Sequence, residues 1–439
     1  MAAAPDQSLP DQYATWADLK AAYRFLNNPK VTPAELQRTH REQVRAECAS
    51  HARILAIQDG SELDLSRHRS VTGLGFVGNG FGQGLLQQST LAVTTDGQLL
   101  GVLHQIWWKR VRTPEGETRR ERQARSKESD LWSQSIHAVA ELGLTPRVIH
   151  VTDRGGDNFD TLHTAHETNS GFLIRARHDR HVNGDGERMW AFMQRQPVAG
   201  TRDIYVPRRP AKKGQPAQPA RVARLAIRYA PLQIPCPPND LRFKGSISVW
   251  AVYGVETDPP AGVERIEWML LTSEAVESVA EANERVDWYT YRWLIEEWHK
   301  ALKTGCRLEA SQLKSAEALE RLAALAAVVA VRLIQLRDLA QATVNEPPDL
   351  ASSSEQPAAL QAVVPRAWII VVSHLTGCAA TELTPRLFWR TVAKRGGFIG
   401  RKSDGVPGWQ TIWKGWKEIM LLVQGFELHR EHLAPDTCG

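Results

Sequence analysis

Residues 289–305 read "YTYRWLIEEWHKALKTG". At the helical step of about 100° per residue, Tyr289, Arg292, Glu296, Lys300 and Lys303 gather on one face, and Leu294, Ile295, Trp298, Ala301 and Leu302 on the other. The spacing predicts one helix with an apolar back and a front bearing one acid among three bases, capped by Gly305. An ordinary surface helix also mixes its charges through i,i+4 pairs. A lone carboxylate among Arg292, Lys300 and Lys303 fits more specifically a site that receives a polyanion together with a divalent metal. Such a site needs further oxygen ligands elsewhere in the chain.

The chain has 439 residues, enough for two or three domains with a sizeable core. Its hydrophobic fraction of 42% and charged fraction of 23% are those of an ordinary soluble protein. The net charge of +5 is mild, so nucleic-acid contacts must come from local clusters of cations. Fifteen tryptophans are many for this length, and several sit beside basic residues, a combination suited to base stacking as well as to core. The five cysteines are scattered without a C-x-x-C pair, which argues against a zinc site or disulfide framework and fits a reducing cytoplasm. The N-terminal "MAAAPDQSLPDQYATW" lacks the basic and apolar regions of a signal peptide. The longest apolar run, "LAALAAVVAV" (322–331), is too short to span a bilayer and reads as buried helix, so no membrane partner is expected.

Along the chain, "LKAAYRFLNNPKVTPAELQRTHREQV" reads as two helices around a turn at Asn28-Pro29, the second capped by Thr32. A short strand from Ile54 to Ile57 then delivers Asp59 at its end. Two β-rich runs flank Asp96-Gly97, a hairpin signal, and a basic loop follows over 109–127. After a helix over about 128–142, the strand "RVIHVTD" (147–153) ends at Asp153, and "GFLIRAR" (171–177) is the strand after that. Residues 178–268, containing "RRPAKKGQPAQPAR" and three alternating runs, read as a β-rich insertion. Beyond the helix of Glu296, a long helix is expected over about 315–340. A Pro- and Ser-rich loop (346–357) then separates off a helical C-terminal region.

Two aspartates at strand ends and a glutamate on a later helix form a constellation. In a sheet of the ribonuclease H type the first and fourth strands are neighbours, which would set Asp59 beside Asp153 with Glu296 laid across them. Three hard oxygen ligands suit Mg²⁺ or Mn²⁺, and a pair of such ions can activate water and stabilise a leaving 3′ oxygen. Without metal, clustered carboxylates repel and one tends to stay protonated. Taken singly, either aspartate reads first as a turn cap, as aspartates at strand ends often are.

The segment 289–309 resembles the Tyr-x2-Arg-x3-Glu-x6-Lys signature of DDE transposases of the insertion-sequence-four family, the family of the transposase of the composite kanamycin-resistance transposon. Further stretches resemble it in the same order: "AYRFLNNP" (22–29), "IQDGSELDL" (57–65), "GVLHQIWWKR" (101–110), "KESDLW" (127–132), "VTDRGGDNFD" (151–160), "FLIRARH" (172–178), "WMLLTSEAVESV" (268–279), "VAVRLIQLRDL" (329–339) and "GGFIGRKSDGVPGWQTIWKGW" (396–416). The resemblance implies an α/β fold with a ribonuclease H-like catalytic core over 46–340, interrupted by the insertion at about 178–268. It implies a remnant of an N-terminal DNA-binding region over 1–45 and a helical C-terminal dimerisation region over 341–439.

By the same resemblance Asp59, Asp153 and Glu296 are the metal-binding catalytic triad, with Mg²⁺ as cofactor and Mn²⁺ as its substitute. Tyr289, Arg292 and Lys303 correspond to signature residues at the end phosphates, and Trp268 to the tryptophan that receives a flipped base during hairpin formation. Trp293 is a weaker candidate for that role. Lys300 on the cationic face, and Arg175 and Arg177 at alternate positions of a strand, are further candidates for DNA contact. Trp409, Trp413 and Trp416 form a helical stripe that packs against something. The implied activity is cut-and-paste transposition by metal-dependent cleavage, hairpin formation and strand transfer. The implied partners are transposon ends, target DNA and a second copy in a synaptic complex, at the bacterial nucleoid in the cytoplasm. About twenty residues precede "AYRFLNNP", fewer than such enzymes carry there. The alternative expectation is therefore a truncated relative that dimerises with a complete transposase and inhibits it.

Overall fold

The computed structural model describes residues 7–433 except 14, 185, 207–217, 239–242, 346–359, 361–363 and 402–405. Its strands are β1 (Arg53–Asp64), β2 (Gly75–Val77), β3 (Gly82–Thr94), β4 (Leu99–Trp108), β5 (Arg147–Thr152), β6 (Gly171–Arg175), β7 (His181–Val182), β8 (Glu187–Arg188), β9 (Gly200–Val206), β10 (Arg221–Pro235), β11 (Ser246–Glu256) and β12 (Glu267–Thr272). All but the small β7–β8 hairpin form one mixed sheet in the order β2-β3-β1-β5-β6-β12-β11-β10-β9, with β4 also paired to β3. The chain falls into two compact units, one of Ala34–Glu296 with Lys314–Ala316, the other of Met1–Pro33, Glu297–Leu313 and Glu317–Gly439.

The sheet belongs to the first unit, and β1, β5 and β6 form its parallel part, with the β1–β5 pair setting the site. That pair runs from Arg53 opposite Arg147 to Ile57 opposite Val151. Parallel strands are covered on both faces and read as continuous apolar runs, as "ILAI" and "VIHV" do here. Val44 and Cys48 of helix Arg38–Cys48 pack on Ile54 and Ala56 from one side, with Ala92, Leu100 and Leu103 completing the cluster. Elsewhere in the unit, Ile136, Phe159 and Leu162 from helices Asp130–Ala140 and Phe159–Glu167 cluster with Phe172, Ile174 and Leu271.

Two expectations change. The first strand does not stop at Ile57: pairing with β3, from Ile54–Thr94 to Asp64–Gly84, carries it on to Asp64, and Asp59 lies within it opposite Ser89. The basic loop 109–127 contains a helix, Arg119–Ala124, begun by a capping box between Thr118 and Glu121. Between 178 and 268 the expected β-rich stretch continues the main sheet, β12 pairing antiparallel with β6. Most of "RRPAKKGQPAQPAR" and the loop 346–357 lie outside the described residues. The Asp96-Gly97 hairpin is present, with Gly97 at φ 93°.

The second unit holds the long helix Ala316–Asn345 and helices Arg366–Thr376, Pro385–Arg395 and Trp409–Leu433. Its tryptophan stripe turns inward: Trp409 and Trp413 are buried, and the Trp416 ring stacks on Trp389 at 5.6 Å. Among the described residues no helix is long and apolar enough to cross a membrane.

The helices Pro385–Arg395 and Trp409–Leu433 touch through glycine. A Cβ on Gly415 would lie 1.7 Å from the Val392 carbonyl oxygen, and one on Gly396 1.8 Å from that of Thr411. Gly415→Ala should therefore destabilise this unit by about 1–3 kcal/mol through overpacking. Gly425→Ala, whose Cβ meets nothing within 4 Å, should be neutral or stabilising by up to about 1 kcal/mol. Chemical denaturation of both variants checks this. Equal stability of the two would refute the close helix crossing.

Candidate active site

The β1–β5 register sets the geometry. Asp59 and Asp153 each lie two residues past the last parallel pair, Ile57–Val151, so the two chains deliver them at the same level of the sheet. Beneath them a buried Gln58 amide meets His150 Nδ1 at 2.8 Å, and burial pushes that imidazole down to about 3, leaving it neutral. Asp153 Oδ1 accepts the Gly155 N–H at 2.7 Å, which opens the short 3₁₀ turn Arg154–Gly156. Asp59 Oδ1 accepts the Gly60 N–H at 2.9 Å.

The segment 289–305 supplies the rest, but not as one helix. Helix Val279–Thr290 ends, a turn occupies Tyr291 and Arg292, and a second helix, Trp293–Lys300, carries Glu296. Residues Ala301–Gly305 then widen into a π-helical turn. The Arg292 guanidinium, only 13% exposed, bridges Asp59 Oδ2 at 3.5 Å and the Glu296 carboxylate. It thereby ties a carboxylate from the sheet to one from the helix.

Tyr289 is buried, and the edge of its ring meets Trp268 at 5.0 Å between centroids and 72°. Arg175, close enough to the Tyr289 hydroxyl for the two to interact electrostatically, donates to the Glu267 carbonyl at 3.0 Å. Trp268 is only 9% exposed, inside β12 opposite Gly254. Arg177 is not on the strand with Arg175. It follows the strand's end, and its backbone N–H, with that of His178, binds the Asp157 carboxylate. Trp293 is 39% exposed. Lys300 and Lys303 fall in the other unit, Lys300 exposed and Lys303 at 4.0 Å from Glu309.

Sequence reasoning did not single out Arg154 and Arg265, which with Arg175, Trp190, Glu264 and Glu267 line a cavity of about 310 Å³ beside Met269, Arg265 being paired with Glu267 at 3.3 Å. Arg154 could have been found from its place directly after Asp153. Arg265 carries no such local signal.

The electrostatics follow from crowding. Burial pushes the Asp59 carboxyl up to about 7, with Asp153 and Glu296 adding to the shift and Arg292 opposing it. Burial works against the Arg292 cation, yet Tyr289, Glu296 and Asp59 outweigh it and hold the guanidinium above its usual range. Among the described residues no three His, Cys, Asp or Glu side chains stand close enough to hold a metal ion between them. The donors are nevertheless of the kind a hard divalent cation takes. Two carboxylates already sharing one guanidinium, with a third raising the proton affinity of Asp59, leave negative charge that such a cation would answer.

Family models match three stretches of the chain in order. Residues 1–31 match a transposase DNA-binding model, 120–332 a transposase DDE domain and 383–434 the dimerisation domain of Tn5 transposase. Among solved structures the chain is similar to piggyBac transposase in a synaptic complex with hairpin DNA, at 9% identity and a TM-score of 0.33. That match covers 91% of this chain and 61% of the other.

In the metal-free protein Asp59 binds its proton more tightly when folded, at about 7, than when unfolded, at about 3.9. This contribution to stability is full below about pH 4 and is lost as pH rises through about 7. In chelator the melting midpoint of Asp59→Asn relative to the wild type should therefore rise from pH 4 to pH 7 and level off above. A difference that stays constant across that window would remove Asp59 from the buried cluster.

Proposed function

We propose that the chain is a DDE transposase and that it performs cut-and-paste transposition of an insertion sequence of the insertion-sequence-four kind. In this reading it cleaves a transposon end, directs the freed 3′-OH onto the opposite strand to form a hairpin, reopens the hairpin and joins the end to target DNA. The observation that carries the reading is the parallel register that levels Asp59 with Asp153, together with the guanidinium that ties Asp59 to Glu296.

In this reading Asp59, Asp153 and Glu296 are the catalytic residues and would hold the divalent metal that enzymes of this class use, Mg²⁺ or in its place Mn²⁺. When bound, such ions supply Lewis-acid activation of water and of the 3′ oxygen. Arg292 offers a planar fork matched to phosphate, and the Glu296 and Asp59 carboxylates hold it charged. Arg175 presents a second guanidinium whose orientation the Glu267 carbonyl fixes. Arg177, Lys300 and Lys303 add phosphate contacts. Trp268 receives the flipped base, and its burial means that the ring must first part from Tyr289.

The enzyme acts on DNA in the bacterial cytoplasm as a dimer that pairs two ends. The dimerisation-domain match supports this, as do Leu421 and Leu428, exposed on the last helix.

Asp59→Asn, Asp153→Asn and Glu296→Gln should each abolish Mg²⁺-dependent cleavage of end-containing DNA while leaving DNA binding measurable. Retained Mg²⁺-dependent nicking in any one would remove that residue from the triad. Binding of one duplex across a salt series tests the cations separately. Arg292→Ala should weaken it and reduce the slope of log K against log salt by about 0.9, one phosphate contact. An unchanged slope would make Arg292 a structural ion-pair residue only.

A further inference from the structure

The turn between β2 and β3 reads "GNGFG" (78–82). Val77 pairs with Gly82, so Gly78, Asn79, Gly80 and Phe81 form the tip. Gly78 and Gly80 sit at φ 61° and 90°, where a side chain would be strained. The turn is held from within and from behind. Gly80 N–H donates to the Val77 carbonyl at 3.2 Å, and Gly78 N–H to the Glu62 carboxylate at 2.9 Å. Glu62 is in turn gripped by Arg110. On this braced tip the Phe81 ring is 88% exposed.

Its surroundings are polar and cationic. The loop after β1 is fastened to the hairpin base by Gln83 N–H to Ser66 Oγ at 2.9 Å and Leu65 N–H to the Gln83 carbonyl at 2.8 Å, and it exposes Arg67 and Arg69. The Arg112 guanidinium lies 5.0 Å over the ring of Phe76, which pairs with Gln83. The acids nearby are engaged: Glu62 with Arg110 and Gly78, Asp64 with Ser66. A protein interface needs a buried core of several packed side chains, more than one ring on a narrow turn offers. One exposed ring on a hairpin whose flanking segments carry Arg67, Arg69 and Arg112 matches instead the apolar wedges that enter DNA between base steps while cations hold the flanking phosphates.

The hairpin also has a defined reach. Asp59 pairs with Ser89 and Asp64 with Gly84, and β3 continues in the same direction to its start at Gly82. At about 3.3 Å per residue the tip stands roughly 25 Å along the sheet from Asp59.

We propose that Phe81 is a DNA-inserting wedge, entering a base step of the bound duplex roughly 25 Å from the carboxylates while Arg67, Arg69 and Arg112 hold the adjoining phosphates. The proposal rests on the reading of the chain as a DNA-acting transposase.

The test uses the full chain and short duplexes in which a fluorescent adenine analogue is stepped through the sequence. With the wild type, one narrow set of positions should brighten on binding as the base unstacks. Phe81→Ala should abolish that signal and weaken binding roughly 5- to 100-fold, with the salt slope unchanged because no phosphate contact is lost. Phe81→Leu should keep much of both, and unaltered thermal midpoints would exclude a folding effect at so exposed a site. Unchanged affinity and brightening in Phe81→Ala would overturn the proposal. So would a loss of affinity accompanied by a change of oligomeric state in light scattering, which would make the ring a contact between copies. If the wild type bound no duplex, the functional reading itself would fail. If it bound and Phe81→Ala matched it, only the wedge would.

Discussion

The parallel pairing of β1 with β5 creates the problem that the surrounding structure solves. It delivers Asp59 and Asp153 at one level of a buried sheet, where burial alone makes a carboxylate reluctant to ionise. Glu296 adds a third negative charge. A cluster like this survives only with compensating positive charge, and Arg292 provides it by bridging two of the three carboxylates. The arginine is itself buried, and the preceding helix sets the buried Tyr289 close to it. Tyr289 in turn needs a wall, and β12 supplies Trp268. The pairing of β12 with β6 thus belongs to the site as much as to the sheet.

An arginine suits this place for reasons that a lysine would not meet. The two carboxylates come from different elements and lie at different distances, and a planar fork reaches both with separate nitrogens. A lysine ammonium is a single compact point that loses its proton readily on burial. The same fork geometry matches phosphate, so the group that neutralises the acids in the free protein is also fitted to a DNA strand. One residue therefore serves the stability of the empty site and the recognition proposed for the filled one.

Much of this was legible in the chain. Apolar runs ending in aspartate gave both central strands, and the Asp96-Gly97 turn gave the hairpin, because each is a local pattern with a local cause. The reading of 289–305 as one helix went wrong instructively. Periodicity assigns faces correctly on both sides of a short break, so Ile295, Trp298, Ala301 and Leu302 are buried as expected, while the break at Tyr291 and Arg292 leaves no trace in the pattern. The length of β1 was hidden because Asp59 to Asp64 is polar and is held by pairing with β3, a long-range cause. Arg177 was misplaced by alternation continued past the end of β6, where Asp157 captures the backbone instead. Phe81 and Arg265 drew no notice, since a lone aromatic in a glycine turn and a lone arginine in a loop acquire meaning only from their neighbours.

The break between the two helices has an identifiable cause elsewhere in the unit. Tyr291, at the turn, packs its ring where a side chain at position 97 would be: a Cβ on Gly97 would lie 2.6 Å from it. Gly97 is thus required twice, once for its positive φ in the hairpin and once for the space that Tyr291 occupies. Just before the turn, Arg202 of β9 binds the Asp287 carboxylate through two nitrogens and fixes the end of the first helix. Held from the β3–β4 turn on one side and from β9 on the other, the chain can place Tyr289 beneath Trp268 and still turn Arg292 toward Asp59. The two ends of the sheet, far apart in sequence, together set the direction in which one guanidinium points.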